Sequence, residues 1–141
     1  MNEVFVYGTL LRGLRYHGIL TGAAFLGPAH VHGRLFDLGP YPALWPGPDR
    51  VQGEVYRVDA QILAQLDQLE DFDPRDPEGS LYRRVTRRTF LANGGIRDVQ
   101  VYLYNARVDP RQHIPHGDYR RHLESLGKRG TPCGGGTGMG P

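Results

Sequence analysis

The sequence predicts an α+β fold: a small mixed, mostly antiparallel β-barrel with flanking helices. Three observations carry that prediction. First, 20 glycines and 11 prolines interrupt a chain of 141 residues; that favours short elements and many turns over a helix bundle. Second, strand-like runs outnumber helical ones. Third, successive strand-like runs are joined by short turns, and short turns join antiparallel strands. The length fits one domain.

Val4-Phe5-Val6-Tyr7 is a short apolar strand, which Gly8 ends. Residues 32–37 alternate loosely and form a second strand, and Gly39-Pro40-Tyr41-Pro42 is a turn cluster. Residues 52–58 form a third strand, with Gly53, Val55 and Arg57 on one side and Glu54, Tyr56 and Val58 on the other. A helix over residues 60–70 follows. The runs 81–91 and 96–104 flank Asn93-Gly94-Gly95, a hairpin signal. A second helix covers residues 118–126. No repeat or linker divides this stretch, so residues 1–126 are taken as the domain. In residues 127–141 seven positions are glycine and only Cys133 and Met139 could pack. Such a segment does not offset its ordering entropy and is expected to be a flexible tail. Its glycine run lacks the Lys-Ser/Thr ending and the preceding strand of a phosphate loop.

Composition narrows the function classes. A net charge of +2 does not by itself imply a nucleic-acid partner. The single cysteine, Cys133, excludes an internal disulfide framework and fits a reducing, cytoplasmic compartment. No run of about 18 apolar residues exists, so no membrane span is expected. Met1-Asn2-Glu3-Val4-Phe5 lacks the basic-then-apolar pattern of a secretion signal.

The most informative stretch is Asp59-Ala60-Gln61-Ile62-Leu63-Ala64-Gln65-Leu66-Asp67-Gln68-Leu69-Glu70. Asp59 is a good N-cap. With about 100° per residue, Ile62, Leu63, Leu66 and Leu69 form one apolar stripe. Glu70 falls between Leu66 and Leu63, while Gln68 and Asp71 point outward. An acid on an apolar face is costly unless something uses or neutralises it. The helix C-terminus disfavours negative charge as well. Burial and dipole together raise the affinity of Glu70 for its proton, which suits a general base near neutral pH. The alternative is that the helix frays after Leu69, leaving Glu70 in solvent or paired with Arg83 or Arg84.

Tyr7-Gly8-Thr9-Leu10 follows the first strand directly. Glycine lets a ligand approach the main chain, and successive amides of such a turn can form an anion-binding concavity. An ordinary strand-ending turn is the alternative.

Taken in order, several segments resemble the γ-glutamyl cyclotransferase-like (AIG2-like) family. They are the opening Val4-Phe5-Val6-Tyr7-Gly8-Thr9-Leu10-Leu11-Arg12-Gly13, then Gly33-Arg34-Leu35-Phe36-Asp37-Leu38-Gly39-Pro40-Tyr41-Pro42-Ala43-Leu44 and Val51-Gln52-Gly53-Glu54-Val55-Tyr56. Leu66-Asp67-Gln68-Leu69-Glu70, Tyr82-Arg83-Arg84 and Val101-Tyr102-Leu103-Tyr104 complete the set. The aliphatic Leu10 resembles the branch with γ-glutamylamine cyclotransferases and small bacterial members. The resemblance implies a small mixed barrel in which the Tyr7-Gly8-Thr9-Leu10 turn holds a γ-glutamyl group. It implies that Glu70 is the acid/base, and that Tyr82 and Tyr104 lie near the pocket. The implied reaction is cyclisation to 5-oxoproline with release of an amine from a small-molecule γ-glutamyl substrate. It requires no metal or organic cofactor.

Other readings have less support. Ser80, Ser125 and Cys133 lack a nucleophile-elbow context. His30 with His32, or His113 with His116, are not joined by a cysteine or a Glu-x-x-His pattern into a metal site. His17 is either a pocket-entrance residue or a surface one. Arg83, Arg84, Arg87 and Arg88 beside Tyr82 fall on alternating faces of a strand, which splits any basic patch; Arg120, Arg121, Lys128 and Arg129 lie late in the chain. The serious competitor is a family member that binds a metabolite, or transfers another acyl or amide group, in the same pocket. The polar segment of residues 71–79 is a candidate lid because of its place after Glu70.

Overall fold

A computed structural model of the chain describes residues 2–127. Met1 and residues 128–141 lie outside the described residues, and with them almost all of the expected tail.

The first strand, β1 (Asn2–Val6), buries Val4, Phe5 and Val6 in succession. Burial of consecutive residues means that both faces are covered. It pairs antiparallel with the end of β3 (Pro42–Val58), Val6 opposite Glu54, and parallel with β5 (Ile96–Tyr104), Val4 opposite Gln100. β5 pairs antiparallel with β4 (Tyr82–Leu91), β4 with β2 (Ala24–Asp37), and β2 with β3. The order β3-β1-β5-β4-β2 thus returns to β3 and closes a five-stranded mixed barrel. Closure satisfies the edges that an open sheet would leave unpaired. The two-residue β6 (His113–Ile114) adds to β2. The predicted fold class holds.

Two strands are longer than the sequence suggests. β2 begins at Ala24 rather than residue 32, and β3 at Pro42 rather than residue 52. Gly27-Pro28 and Pro46-Gly47-Pro48 read as strand breakers. The structure absorbs them as irregularities: the register shifts between Phe25 and Gly27, and residues 46–48 drop out of the pairing where Gly33 faces Asp49 and Arg34 faces Trp45. Such bulges bend a strand pair without ending it.

The predicted hairpin is present. Gly94 has a φ of +96°, and Leu91 N–H donates to the Gly95 carbonyl at 2.8 Å. This register places Tyr82 directly opposite Tyr104. Gly53 admits no side chain, because a Cβ there would lie 2.2 Å from the Val6 carbonyl oxygen. Its bareness lets β1 close on β3.

Helix α1 (Ala60–Leu69) starts where Asp59 Oδ1 accepts from Ile62 N–H at 2.8 Å. Its buried residues are Leu63, Leu66 and Leu69, as the helical period requires, while Ile62 packs half-buried at the edge of the same core. Helix α2 (Tyr119–Ser125) starts under an Asp118 cap and buries Tyr119. No helix among the described residues is long and apolar enough to cross a membrane.

Candidate active site

Glu70 is the C-cap of α1. Its N–H still donates to the Leu66 carbonyl at 2.9 Å, so the helix does not fray before it. Only at Asp71, with φ +54°, does the chain turn away. The side chain therefore keeps its helical direction and enters the apolar stripe. Glu70 is 0% exposed, and neither carboxyl oxygen has a hydrogen-bond partner among the described residues. Burial, and then the charge of Asp67, push its proton affinity well above the usual carboxylate range. The alternative pairing with an arginine does not occur: Arg83 is exposed, and Arg84 pairs with Asp67, Nε to Oδ1 at 2.9 Å.

Four tyrosines lie within the field of that carboxyl. Burial first, with the charge of Glu70 among the further causes, raises Tyr7, Tyr41, Tyr82 and Tyr102 above the usual phenol range. Three of them have a defined hydrogen-bond direction. Tyr7 OH donates to the Tyr102 carbonyl at 2.7 Å, Tyr82 OH to the Pro42 carbonyl at 2.9 Å, and Tyr102 OH to Asp67 Oδ1 at 2.6 Å. A carbonyl or carboxylate only accepts, so each phenol is the donor. The ring of Tyr104 meets that of Tyr82 edge-on at 5.2 Å, and Tyr41 meets Tyr82 at 6.2 Å.

The glycine turn sits at the end of β1. Gly8, Thr9 and Leu10 are all buried. Leu11 N–H donates to the Gly8 carbonyl at 2.9 Å and Tyr16 N–H to the Thr9 carbonyl at 2.8 Å, which fold residues 8–16 into a compact loop. The Leu10 carbonyl accepts from His17 Nδ1 at 3.0 Å, so His17 is a half-buried brace of the turn rather than a plain surface residue.

A second acid, Glu54, anchors the same loop. Its Oε1 accepts from Arg12 N–H and from Tyr56 OH, each at 3.0 Å, and Arg120 of α2 reaches Oε2 at 3.4 Å. Burial and the Glu54 charge push Tyr56 up to about 12. Glu54, Tyr41, Asp67 and Tyr102 were not singled out from the sequence. The signals were present: Tyr102 shares the strand face of Tyr104, and Asp67 stands one helical turn before Glu70.

The remaining candidates sit apart from this constellation. His30 and His32 pack on Phe90 with ring centroids 5.1 and 5.3 Å from it. His113 pairs with Asp49 and His122 with Asp37, both at 2.8 Å. Residues 71–80 are internally tied. Ser80 Oγ accepts from Asp73 N–H at 2.8 Å, and the Asn105 amide donates to the carbonyls of Pro77, Glu78 and Ser80.

The fold and site together define a small mixed barrel whose buried acid Glu70, unpaired among the described residues, is set among tyrosines beside a glycine turn. The chain belongs to the gamma-glutamyl cyclotransferase, AIG2-like family, whose sequence pattern matches residues 4–121. The chain is 33% identical over 118 residues to the gamma-glutamylcyclotransferase family protein YtfP of Escherichia coli K12, covering 83% of this chain and 95% of that one. It is 33% identical over 141 residues to the gamma-glutamylaminecyclotransferase of Bos taurus, covering 90% and 78% respectively. The crystal structure of a mouse AIG2-like protein superposes with a TM-score of 0.70 at 31% identity, covering 84% of this chain and 88% of the mouse chain.

Proposed function

We propose that this protein releases 5-oxoproline and an amine from a small γ-glutamyl compound, with Glu70 as general base and then general acid. The observation that carries the reading is the fully buried Glu70 carboxyl with no hydrogen-bond partner among the described residues. A structural acid in that position is paired or replaced; an acid left unpaired and buried awaits a donor. The hydrogens of Tyr7, Tyr82 and Tyr102 already point to protein acceptors. These phenols therefore offer lone pairs, and the part of a substrate that reaches Glu70 is a hydrogen-bond donor. An α-amine has that character.

The substrate's α-amine nitrogen attacks its own γ-carbonyl carbon. One carbon–nitrogen bond forms and closes a five-membered lactam, while the bond to the leaving nitrogen breaks. Glu70 takes the proton released by the attacking amine and delivers it to the departing one, so charge and protons balance. The nucleophile is tethered, so a folded conformer supplies the proximity. Burial raises the proton affinity of the carboxyl above the ordinary carboxylate range, which strengthens it as a base. The main-chain amides of Gly8, Thr9 and Leu10 hold the anionic oxygens of the substrate. Tyr82 and Tyr104 form an aromatic wall for the side-chain portion.

The test is 5-oxoproline release from γ-glutamyl amino acids, γ-glutamyl-ε-lysine and glutathione. Release from one of them supports the reading and names the amine. Tight binding of these compounds without release would favour a metabolite-binding role for the same pocket.

A further inference from the structure

The reaction proposed above leaves Asp67 without a part, yet Asp67 is the most heavily engaged acid near Glu70. It lies on α1 one helical turn earlier. Tyr102 OH donates to its Oδ1 at 2.6 Å, Arg84 Nε lies 2.9 Å from the same oxygen, and Arg84 Nη2 donates to Oδ2 at 3.2 Å. The Asp67 and Arg84 side chains are only 13% and 19% exposed. Arg84 is itself held, over the Phe72 ring at 5.5 Å and by Gln100 Oε1 at 3.4 Å.

Simple packing does not call for this arrangement. A largely buried ion pair seldom stabilises more than apolar residues of equal volume. The clamp also reaches the site by a second route, since the Tyr102 carbonyl accepts from Tyr7 OH. The groups whose charge or dipole bears on Glu70 are Asp67 from α1, Tyr7 after β1, Tyr41 from the β2–β3 turn, Tyr82 from β4 and Tyr102 from β5. Two acids a turn apart, one held by two hydrogen bonds and an ion-pair contact and the other with no hydrogen-bond partner among the described residues, are an unequal pair.

We propose that Asp67, clamped by Arg84 and Tyr102, is a positioning residue of this site. It fixes the last turn of α1 and, through the Arg84 ion pair and the Tyr102 hydrogen bond, holds its carboxyl group in place beside Glu70, the group that exchanges the proton. The inference rests on Glu70 being the acid–base group.

The experiment follows the Glu70 carboxyl by carbon-13 NMR in protein labelled at glutamate, without substrate, and assigns the signal by its loss in Glu70→Gln. Asp67→Asn removes the negative charge and shifts the Glu70 midpoint to lower pH by about one unit. Arg84→Met leaves Asp67 uncompensated and shifts the midpoint to higher pH by a similar amount. Opposite shifts support the proposal, because they show that both charges of the clamp reach the Glu70 carboxyl. Unchanged midpoints, or shifts of the same sign, overturn it. Should Asp67→Asn fail to fold, Arg84→Met alone decides: an upward shift supports the clamp, and a null or downward shift overturns it. The acid limb of 5-oxoproline release is then expected to move with the NMR midpoint. Midpoints that move oppositely under a fixed rate profile count against Glu70 as the base and so against the positioning role that rests on it, whereas unchanged midpoints overturn the clamp alone.

Discussion

Tyr7 donates its phenolic hydrogen to the main-chain carbonyl of Tyr102, 2.7 Å away and 95 residues later in the chain. The bond crosses from the end of β1 to β5, the pair of strands that runs parallel. It therefore braces the barrel beside Glu70 and commits the hydrogen of Tyr7 to the protein itself. Tyr7→Phe leaves that carbonyl without its donor in a buried setting. The expected loss is about 1–3 kcal/mol in urea unfolding, with a lower kcat/KM. Unchanged stability would show that the carbonyl finds another donor.

Glu70 opposes folding in a pH-dependent way. Burial raises its folded-state value well above the ordinary 4.5. As pH rises through about 4.5, the unfolded chain releases this proton while the folded protein retains it, so stability falls until the folded protein releases it too. Glutamine has no such proton. Glu70→Gln is expected to gain stability relative to wild type as pH increases, measured by denaturant unfolding at about pH 4, 6 and 8. A constant difference would contradict a raised folded-state value.

Glu54 holds the glycine loop through Arg12, Tyr56 and Arg120. Glu54→Ala removes the acceptor for all three and is expected to cost about 2–3 kcal/mol. Because the loop carries Gly8, Thr9 and Leu10, KM should rise by about tenfold, equivalent to about 1.4 kcal/mol. A stability loss with unchanged KM would separate the loop from substrate binding.

The elements that follow from local rules were legible in the sequence. The Asp59 cap, the Leu63-Leu66-Leu69 stripe, the inward Glu70 and the Asn93-Gly94-Gly95 hairpin each depend on neighbours in the chain. Long-range facts were not. The parallel β1–β5 pairing and the return of β3 to β2 close the barrel only in three dimensions. Gly27-Pro28 and Pro46-Gly47-Pro48 concealed more than half of two strands, because a bulge has the composition of a turn. At the site, the sequence offers Arg83 or Arg84 only as alternative partners for Glu70; the pairing of Arg84 with Asp67 instead depends on where β4 crosses α1.

Gly117 is a tertiary glycine of this second kind. It has a φ of +70°, and a Cβ there would fall 1.9 Å from the Arg50 carbonyl oxygen. Its own carbonyl accepts from Gln52 N–H at 2.7 Å. Gly117→Ala is expected to cost about 2 kcal/mol or more through strain and displacement of β3. Gly18, with open space at its Cβ position, is the control, and its alanine variant should fall within about 0.5 kcal/mol of wild type. Equal thermal shifts for the two variants would contradict the close approach.

The most direct test compares 5-oxoproline release by wild type and Glu70→Gln on the best compound of the γ-glutamyl panel, with circular dichroism verifying the fold of both. Wild-type turnover that drops by a factor of about 10²–10⁴ in the variant, with the fold intact, is the predicted result. Equal release by the two proteins would contradict the assignment of Glu70 as the acid–base group.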